Sequence, residues 1–183
     1  MTYATATIPG RATAQMRYAS PLGPLLLVRT EDGLAGAWFD AQKHHPAPID
    51  APMRDDDPLL CRAAAQLAAY FDGRATTFDV PLDLVGTPFQ VGVWRELLEI
   101  EPGRTCSYGD IAKKLGRPTA GRAVGAAVGR NPISVIVPCH RVLGSDGALT
   151  GYAGGLERKT ALLRLEAAHR PAPRRAPAQL EMH

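Results

Sequence analysis

Apolar positions concentrate in three short runs near the start of the chain: Ala14–Ser20, Leu25–Thr30 and Leu34–Phe39. Each has strand length, and Glu31-Asp32-Gly33 between the last two is a turn sequence, so the pattern predicts a small antiparallel sheet. From Lys43 to Pro52 periodicity disappears into Pro, His and Ala, which reads as a loop. Asp57-Pro58 then offers an N-cap and a first-turn proline to a helix running to about Phe71, with Leu60, Ala64, Leu67 and Phe71 on one face. Cys61 stands beside that face and reads as structural. Phe78–Gly86 is extended, and Thr87-Pro88 opens a helix with Phe89, Val93, Trp94 and Leu97 at core spacing. A boundary near Gly86 divides an α/β domain, residues 1–86, from a mainly helical one, 87–168. The remainder, 169–183, is Ala, Pro and Arg without periodicity and reads as a mobile tail.

The helical half carries sharper local signals. Ser107-Tyr108-Gly109-Asp110 is a capping box, in which the Ser hydroxyl and the Asp carboxylate satisfy each other's orphan backbone donors. The helix it starts has Ile111, Ala112 and Leu115 for the core and Gly116 for a stop. Pro118-Thr119 restarts the chain before a second helix, about Ala120 to Arg130, and two short helices joined by a tight turn make a helix-turn-helix candidate. The second helix, AGRAVGAAVGR, is almost bare of side chains. Small residues allow close approach either to a neighbouring helix or to a nucleic-acid groove, and both readings stay open. Tight packing alone leaves Arg122 unexplained.

Composition narrows the class. The chain has 183 residues, 45% hydrophobic and 21% charged, enough for one ordinary domain or two small ones. No apolar run approaches the roughly 18 residues of a membrane span, and the first residues lack the basic-then-apolar order of a secretory signal, so a cytoplasmic protein without membrane contact is expected. Cys61, Cys106 and Cys139 are three cysteines without CxxC spacing, which argues against disulfides and a conventional zinc cluster. His44-His45 has no third ligand nearby in sequence, and no metal is expected. The net charge of +3 is unevenly spread. Between 105 and 141 stand Lys113, Lys114, Arg117, Arg122, Arg130 and Arg141 against Asp110 alone, either an ordinary solvated face or the footprint of a polyanion.

The candidate chemistry lies in Val137-Pro138-Cys139-His140-Arg141-Val142. Asn131-Pro132 ends the preceding helix, and Ile133–Val137 is too short and too β-branched for another, so a buried extended segment should deliver Cys139. Most free cysteines are small hydrophobes. Here His140 and Arg141 follow directly, and a base or cationic surroundings favour the nucleophilic thiolate. A histidine in that role needs a group to fix its tautomer. In the helix Gly155–Ala168, Glu166 projects between Leu162 and Leu163 on the apolar face, where a carboxylate requires a partner. Its partner is His140 in a Cys-His-Glu relay or, in the plainer alternative, Lys159 on the same face.

These residues resemble a known family. PCHRV at 138–142, Ser107-Tyr108, Ala120-Gly121-Arg122-Ala123-Val124-Gly125, Asn131-Pro132 and Gly151-Tyr152-Ala153-Gly154-Gly155-Leu156 are similar to the O6-alkylguanine-DNA alkyltransferases. The likeness runs from Gly86 to Glu166, and more loosely over the sheet with its Ser20-Pro21-Leu22-Gly23 opening. It implies a ribonuclease H-like α/β domain with a small antiparallel sheet and a winged-helix-like helical domain bearing the helix-turn-helix. It also implies irreversible, single-turnover transfer of an alkyl group from guanine O6, and less well from thymine O4, to Cys139, without a cofactor. In that scheme Glu166, His140 and a bridging water raise the thiolate, and Tyr108 donates to guanine N3. The carbonyls of Cys139 and Val142 accept from the 2-amino group, the Ala153 N–H faces O6, and Tyr152 lines the pocket. Arg122 replaces a base flipped out through the minor groove of double-stranded DNA; Ser107, Ala123, Gly125 and Ala126 meet the DNA; Asn131 ties that helix to the active-site segment. The expected form is a monomer, without the zinc site or the extra cysteine domain of some relatives.

Two other functions compete. A cysteine hydrolase using Cys139, His140 and Glu166 would turn over repeatedly and ignore DNA, and the bare helix with Arg122 speaks against it. A transcription factor needs base-reading polar side chains, which AGRAVGAAVGR does not supply.

Overall fold

The uninterrupted run Leu25-Leu26-Leu27-Val28 needs cover on both faces, and its neighbours supply it. In the computed structural model, which describes residues 7–169, a short helix α1 (Ile8–Arg11) precedes three strands, β1 (Ala14–Ser20), β2 (Gly23–Arg29) and β3 (Leu34–Phe39). They form an antiparallel sheet of order β1-β2-β3 with Met16 opposite Leu27 and Leu26 opposite Trp38. Leu26, Val28, Ala35 and Trp38 face a small outer cluster closed by Ile8 and Ile49. The Trp38 ring lies so close over Gly36 that a Cβ there would sit 1.9 Å from it, which fixes glycine at that position.

The inner face, with Leu25, Leu27, Ala37 and Phe39, joins the main core. Helix α2 (Pro58–Phe71) starts where its sequence predicts, with Asp57 accepting from the N–H groups of Leu59 and Leu60. Its buried residues are Leu60, Ala63, Leu67 and Tyr70, so the core face is rotated by about one position from the expected Leu60, Ala64, Leu67 and Phe71. The sheet buries the more voluminous side of a helix that is apolar nearly all round. That rotation also leaves Cys61 exposed, donating to the Asp55 carbonyl, rather than beside the core.

The same core continues without a break through Val93, Trp94, Ile111, Val124 and Leu162 of the second half. Helix α3 (Pro88–Leu98) opens on a Thr87/Gln90 capping box. A two-residue strand β4 (Cys106–Ser107) leads into α4 (Tyr108–Lys114), capped by Ser107 and Asp110 and stopped by Gly116 at φ +68°. Helix α5 (Gly121–Gly129) packs on α3 and α4, and the Trp94 indole donates to the Ala127 carbonyl at 2.9 Å. A single 3-10 turn, Cys139–Arg141, runs into β5 (Val142–Leu143), which pairs in parallel with β4. Helix α6 (Leu156–Ala168) closes the described chain, and His169 caps it by a backbone bond to the Glu166 carbonyl. The rest of the expected tail, residues 170–183, lies outside the described residues.

Residues Ile133–Val137 depart from expectation. They are buried, but they form a string of tight turns rather than an extended segment, with Val135 at φ +71°. Only their start reaches the sheet: Ala37 of β3 donates to the Pro132 carbonyl and accepts from the Ser134 N–H. Beyond that point the edge of β3 is taken by Gln42, which bonds both the N–H and the carbonyl of Phe39, so the buried backbone bonds to itself, Val137 N–H to Ile133 and Cys139 N–H to Val137.

Candidate active site

Cys139 opens the 3-10 turn at the end of this segment and is buried, 4% exposed. It borders a cavity of about 480 Å³ whose other walls come from four stretches of chain: Lys43 and His44 after β3, Tyr108 of α4, Gly125, Val128 and Gly129 of α5, and Gly151, Tyr152, Ala153, Gly155 and Leu156 before and at the start of α6. The expected site residues therefore separate into two groups. Cys139, Tyr108, Gly125, Tyr152 and Ala153 face the cavity. Asn131, His140, Val142 and Glu166 stand buried behind it.

Behind the cysteine the polar contacts are dense. The Asn131 amide donates to the Val137 carbonyl at 2.8 Å and to Cys139 Sγ at 3.1 Å, while its Oδ1 accepts from the Ile133 N–H. His140 Nε2 meets Glu166 Oε1 at 2.7 Å, and the other ring nitrogen, Nδ1, is buried with no hydrogen-bond partner. With Nε2 donating to a carboxylate, Nδ1 is left as the acceptor. Burial lowers the His140 pKa, against the pull of Glu166, so the ring is neutral. Burial likewise pushes the Cys139 thiol up to about 11, partly offset by the Asn131 hydrogen bond and the positive charge of Lys159. A neutral thiol thus waits beside a neutral imidazole.

Glu166 gathers more donors than the relay needs. Besides His140 it accepts from the Tyr70 hydroxyl at 2.8 Å, from Arg141 Nη2 at 2.8 Å and Nε at 2.9 Å, and from the Gly103 N–H at 3.1 Å. Burial opposes its charge, but the hydrogen bonds from His140 and Arg141 hold its carboxyl far below the usual carboxylate range. Arg141 is 5% exposed and also donates to the Ile100 carbonyl, so it leaves the exposed basic set of residues 105–141.

Lys159 does not pair with Glu166. Wholly buried on α6, its Nζ donates to the carbonyls of Val142 at 2.6 Å and Thr150 at 2.7 Å, fastening the cavity's outer loop to β5. The Val142 carbonyl consequently has one lone pair left for a ligand, as has that of Cys139, which accepts from the Val142 N–H. Sequence reading missed Tyr70 and the true partners of Lys159. A full-length cation and a Tyr at core spacing on apolar helix faces were the available signals.

At the cavity's outer side Tyr108 is half-buried, its hydroxyl 3.4 Å from Thr150 Oγ1. Arg122, Ala123 and Ala126 are exposed on the free face of α5, and Ser107 caps α4 beside it. Among the described residues no three His, Cys, Asp or Glu side chains come together as a metal site, and no helix is long and apolar enough to cross a membrane.

Two family models match the chain, the ribonuclease-like domain of 6-O-methylguanine DNA methyltransferase over residues 16–84 and its DNA binding domain over 88–168. A methylated-DNA--protein-cysteine methyltransferase of Mycobacterium tuberculosis is 50% identical over 153 residues, 84% of this chain and 92% of that relative. One of Methanosarcina acetivorans is 48% identical over 149 residues, 81% and 95% of the two chains. Among solved structures, Mycobacterium tuberculosis OGT in complex with DNA superposes with a TM-score of 0.79 at 47% identity, covering 87% of this chain and 96% of that one. The O6-methylguanine DNA methyltransferase of Methanococcus jannaschii gives a TM-score of 0.62 at 27% identity, covering 86% and 96%.

Proposed function

The chain belongs to the 6-O-methylguanine DNA methyltransferase family, and from that premise we propose how its own residues perform the reaction. It is a DNA-repair protein that acts on DNA by direct reversal, moving a methyl group from O6-methylguanine onto a cysteine of its own chain. We assign Cys139 as the acceptor. Its proton passes through one water to His140 Nδ1, whose opposite nitrogen is fixed by Glu166. Sγ then bonds to the methyl carbon as the C–O6 bond breaks, and the electron pair leaves with the purine. Tyr108 donates to N3 as charge develops there, electrostatic stabilisation of the transition state. Neutral partners suit this order: the thiolate arises at the moment of transfer, inside a site where free alkylating agents meet only a thiol.

A thioether offers no easy hydrolysis, so each molecule acts once. The pocket's reading of guanine by the free lone pairs of the Cys139 and Val142 carbonyls and by the Ala153 N–H would hold for small alkyl groups, and less well for O4-alkylthymine. Because Cys139 is buried, the base must leave the duplex to meet it. The exposed, nearly bare face of α5, with Ala123, Gly125 and Ala126 beside Ser107, fits a minor groove, and Arg122 fills the vacated stack. The α4–α5 pair with the β4/β5 ladder is winged-helix-like in this reading, and one monomer suffices.

One observation carries the reading: the cysteine of the PCHRV motif borders the same cavity as Tyr108 and α5, with an unpartnered imidazole nitrogen behind it. Duplex DNA bearing radiolabelled O6-methylguanine tests it. One label per protein molecule is expected, and none in Cys139→Ala. Label that persists in that variant, or that is released and replaced in repeated cycles, would overturn the assignment.

A further inference from the structure

The loop after β3, Asp40–His45, is the part of the cavity wall that the repair reaction leaves unexplained. Its backbone is costly: Ala41 and His44 both stand at φ +59°, a left-handed conformation that residues with a Cβ avoid. Two contacts hold it there. Buried Gln42 accepts through Oε1 from the Phe39 N–H at 2.8 Å and from the Ser134 hydroxyl at 3.1 Å, pinning the loop to the active-site segment. The Lys43 N–H donates to the Ala153 carbonyl at 2.9 Å. Strain at a wall this firmly fixed points to function, and its result is to hold Lys43 against the cavity that contains Cys139.

The position relative to the reacting atoms follows from Ala153. In the reading above its N–H faces O6, and its carbonyl is the group that takes Lys43. The backbone bond thus sets Lys43 next to the residue that meets O6, on the wall of the same cavity. The cavity wall contains no carboxylate, and among the described residues Lys43 forms no ion pair. Lys43 is exposed at the cavity's edge, and a cation there without a counter-charge is one that a substrate can match.

We propose that Lys43 makes the pocket selective for O6 adducts that end in an anion, of which O6-carboxymethylguanine is the smallest. The inference rests on the assignment of Cys139 and its cavity. The chemistry is the same displacement: Sγ bonds to the methylene carbon, the C–O6 bond breaks, and the purine leaves with the pair. The product is S-carboxymethylcysteine, its carboxylate beside Lys43 Nζ.

The test is single-turnover transfer from three duplexes, carrying O6-methyl-, O6-propyl- and O6-carboxymethylguanine, by the wild type, Lys43→Ala and Lys43→Arg. Propyl matches carboxymethyl in chain length without its charge. The ratio of carboxymethyl to propyl rates should fall roughly 5- to 10-fold in Lys43→Ala and be kept in Lys43→Arg. An unchanged ratio in Lys43→Ala overturns the proposal, including the case where all three substrates slow together, which marks a contact with the DNA phosphates. A wild type that transfers no methyl group sinks the assignment of the site itself, whereas normal methyl transfer with an unchanged ratio sinks only the role of Lys43.

Discussion

Helix α5 and the segment that follows it, residues 131–141, are neighbours in sequence and opposites in design. The helix has no side-chain cap, exposes Arg122, Ala123 and Ala126, and accepts from the Trp94 indole through its Ala127 carbonyl. The segment is buried at every residue, and Asn131, Arg141 and His140 Nε2 all bond to the chain itself, leaving His140 Nδ1 without a partner. In the proposed reading, recognition of a duplex falls to a surface almost bare of side chains. Chemistry is assigned to a region where nearly every donor is already committed. The first can adapt to any sequence; the second cannot shift without loss.

That contrast predicts that damage to the segment side is the more severe. Glu166→Gln removes the charge on which His140, Arg141 and Tyr70 converge, and alkyl transfer should slow by roughly 10²- to 10⁴-fold. Breaking a buried pair on one side should also cost about 3–5 kcal/mol of stability, measured by urea unfolding. The pH dependence supplies a control. A carboxyl held below its ordinary pKa of 4.5 stabilises the fold above that pH and loses the contribution as pH falls. The gap between wild type and Glu166→Gln should therefore close on acidification below about 4.5; a constant gap would mean that the carboxylate's charge is not what the fold uses.

On the helix side, Arg122→Ala should leave stability unchanged and slow repair of duplex DNA roughly 10- to 100-fold, the equivalent of a few kcal/mol of unstacking. Reaction with free O6-benzylguanine should change by less than about 3-fold, since no base has to be flipped. Equal slowing of both would erase the division between the two regions.

The smallest effect concerns the tie that Tyr70 makes between the sheet half and the relay. Tyr70→Phe should cost about 1–2 kcal/mol. Without the hydroxyl, Glu166 acts more strongly on His140 and raises its pKa. Because the reaction needs a neutral ring, the acidic limb of the alkylation rate should move to higher pH. A stability loss with an unmoved limb would make Tyr70 a packing residue only.

The sequence made the helix starts plain because Asp57, Thr87 and Ser107 cap by contacts within three residues, which a single chain displays directly. The three strands were equally plain from short apolar runs separated by turn sequences. What escaped was set by distant neighbours. A one-residue rotation of α2 decides whether Tyr70 or Phe71 faces Glu166, and a helix apolar nearly all round does not encode that choice. The turns of Ile133–Val137 arise because the sheet pairs only with the start of the segment. Lys159 reads as a partner of Glu166 by spacing alone, yet the carbonyls it joins, Val142 and Thr150, lie on separate stretches of chain. The cysteine, histidine and glutamate themselves were legible because each looked out of place in its local pattern.

The carboxylate of Glu166 is met by Tyr70, Gly103, His140 and Arg141, so its donors lie at four stations along the chain and all precede it in order of synthesis. A ribosome releases the cysteine before the helix that carries the glutamate. Until α6 arrives, the imidazole has nothing to hold its tautomer. In the proposed single-turnover reaction, the relay is therefore complete only once α6 is made, and the cysteine is not spent before the chain is finished.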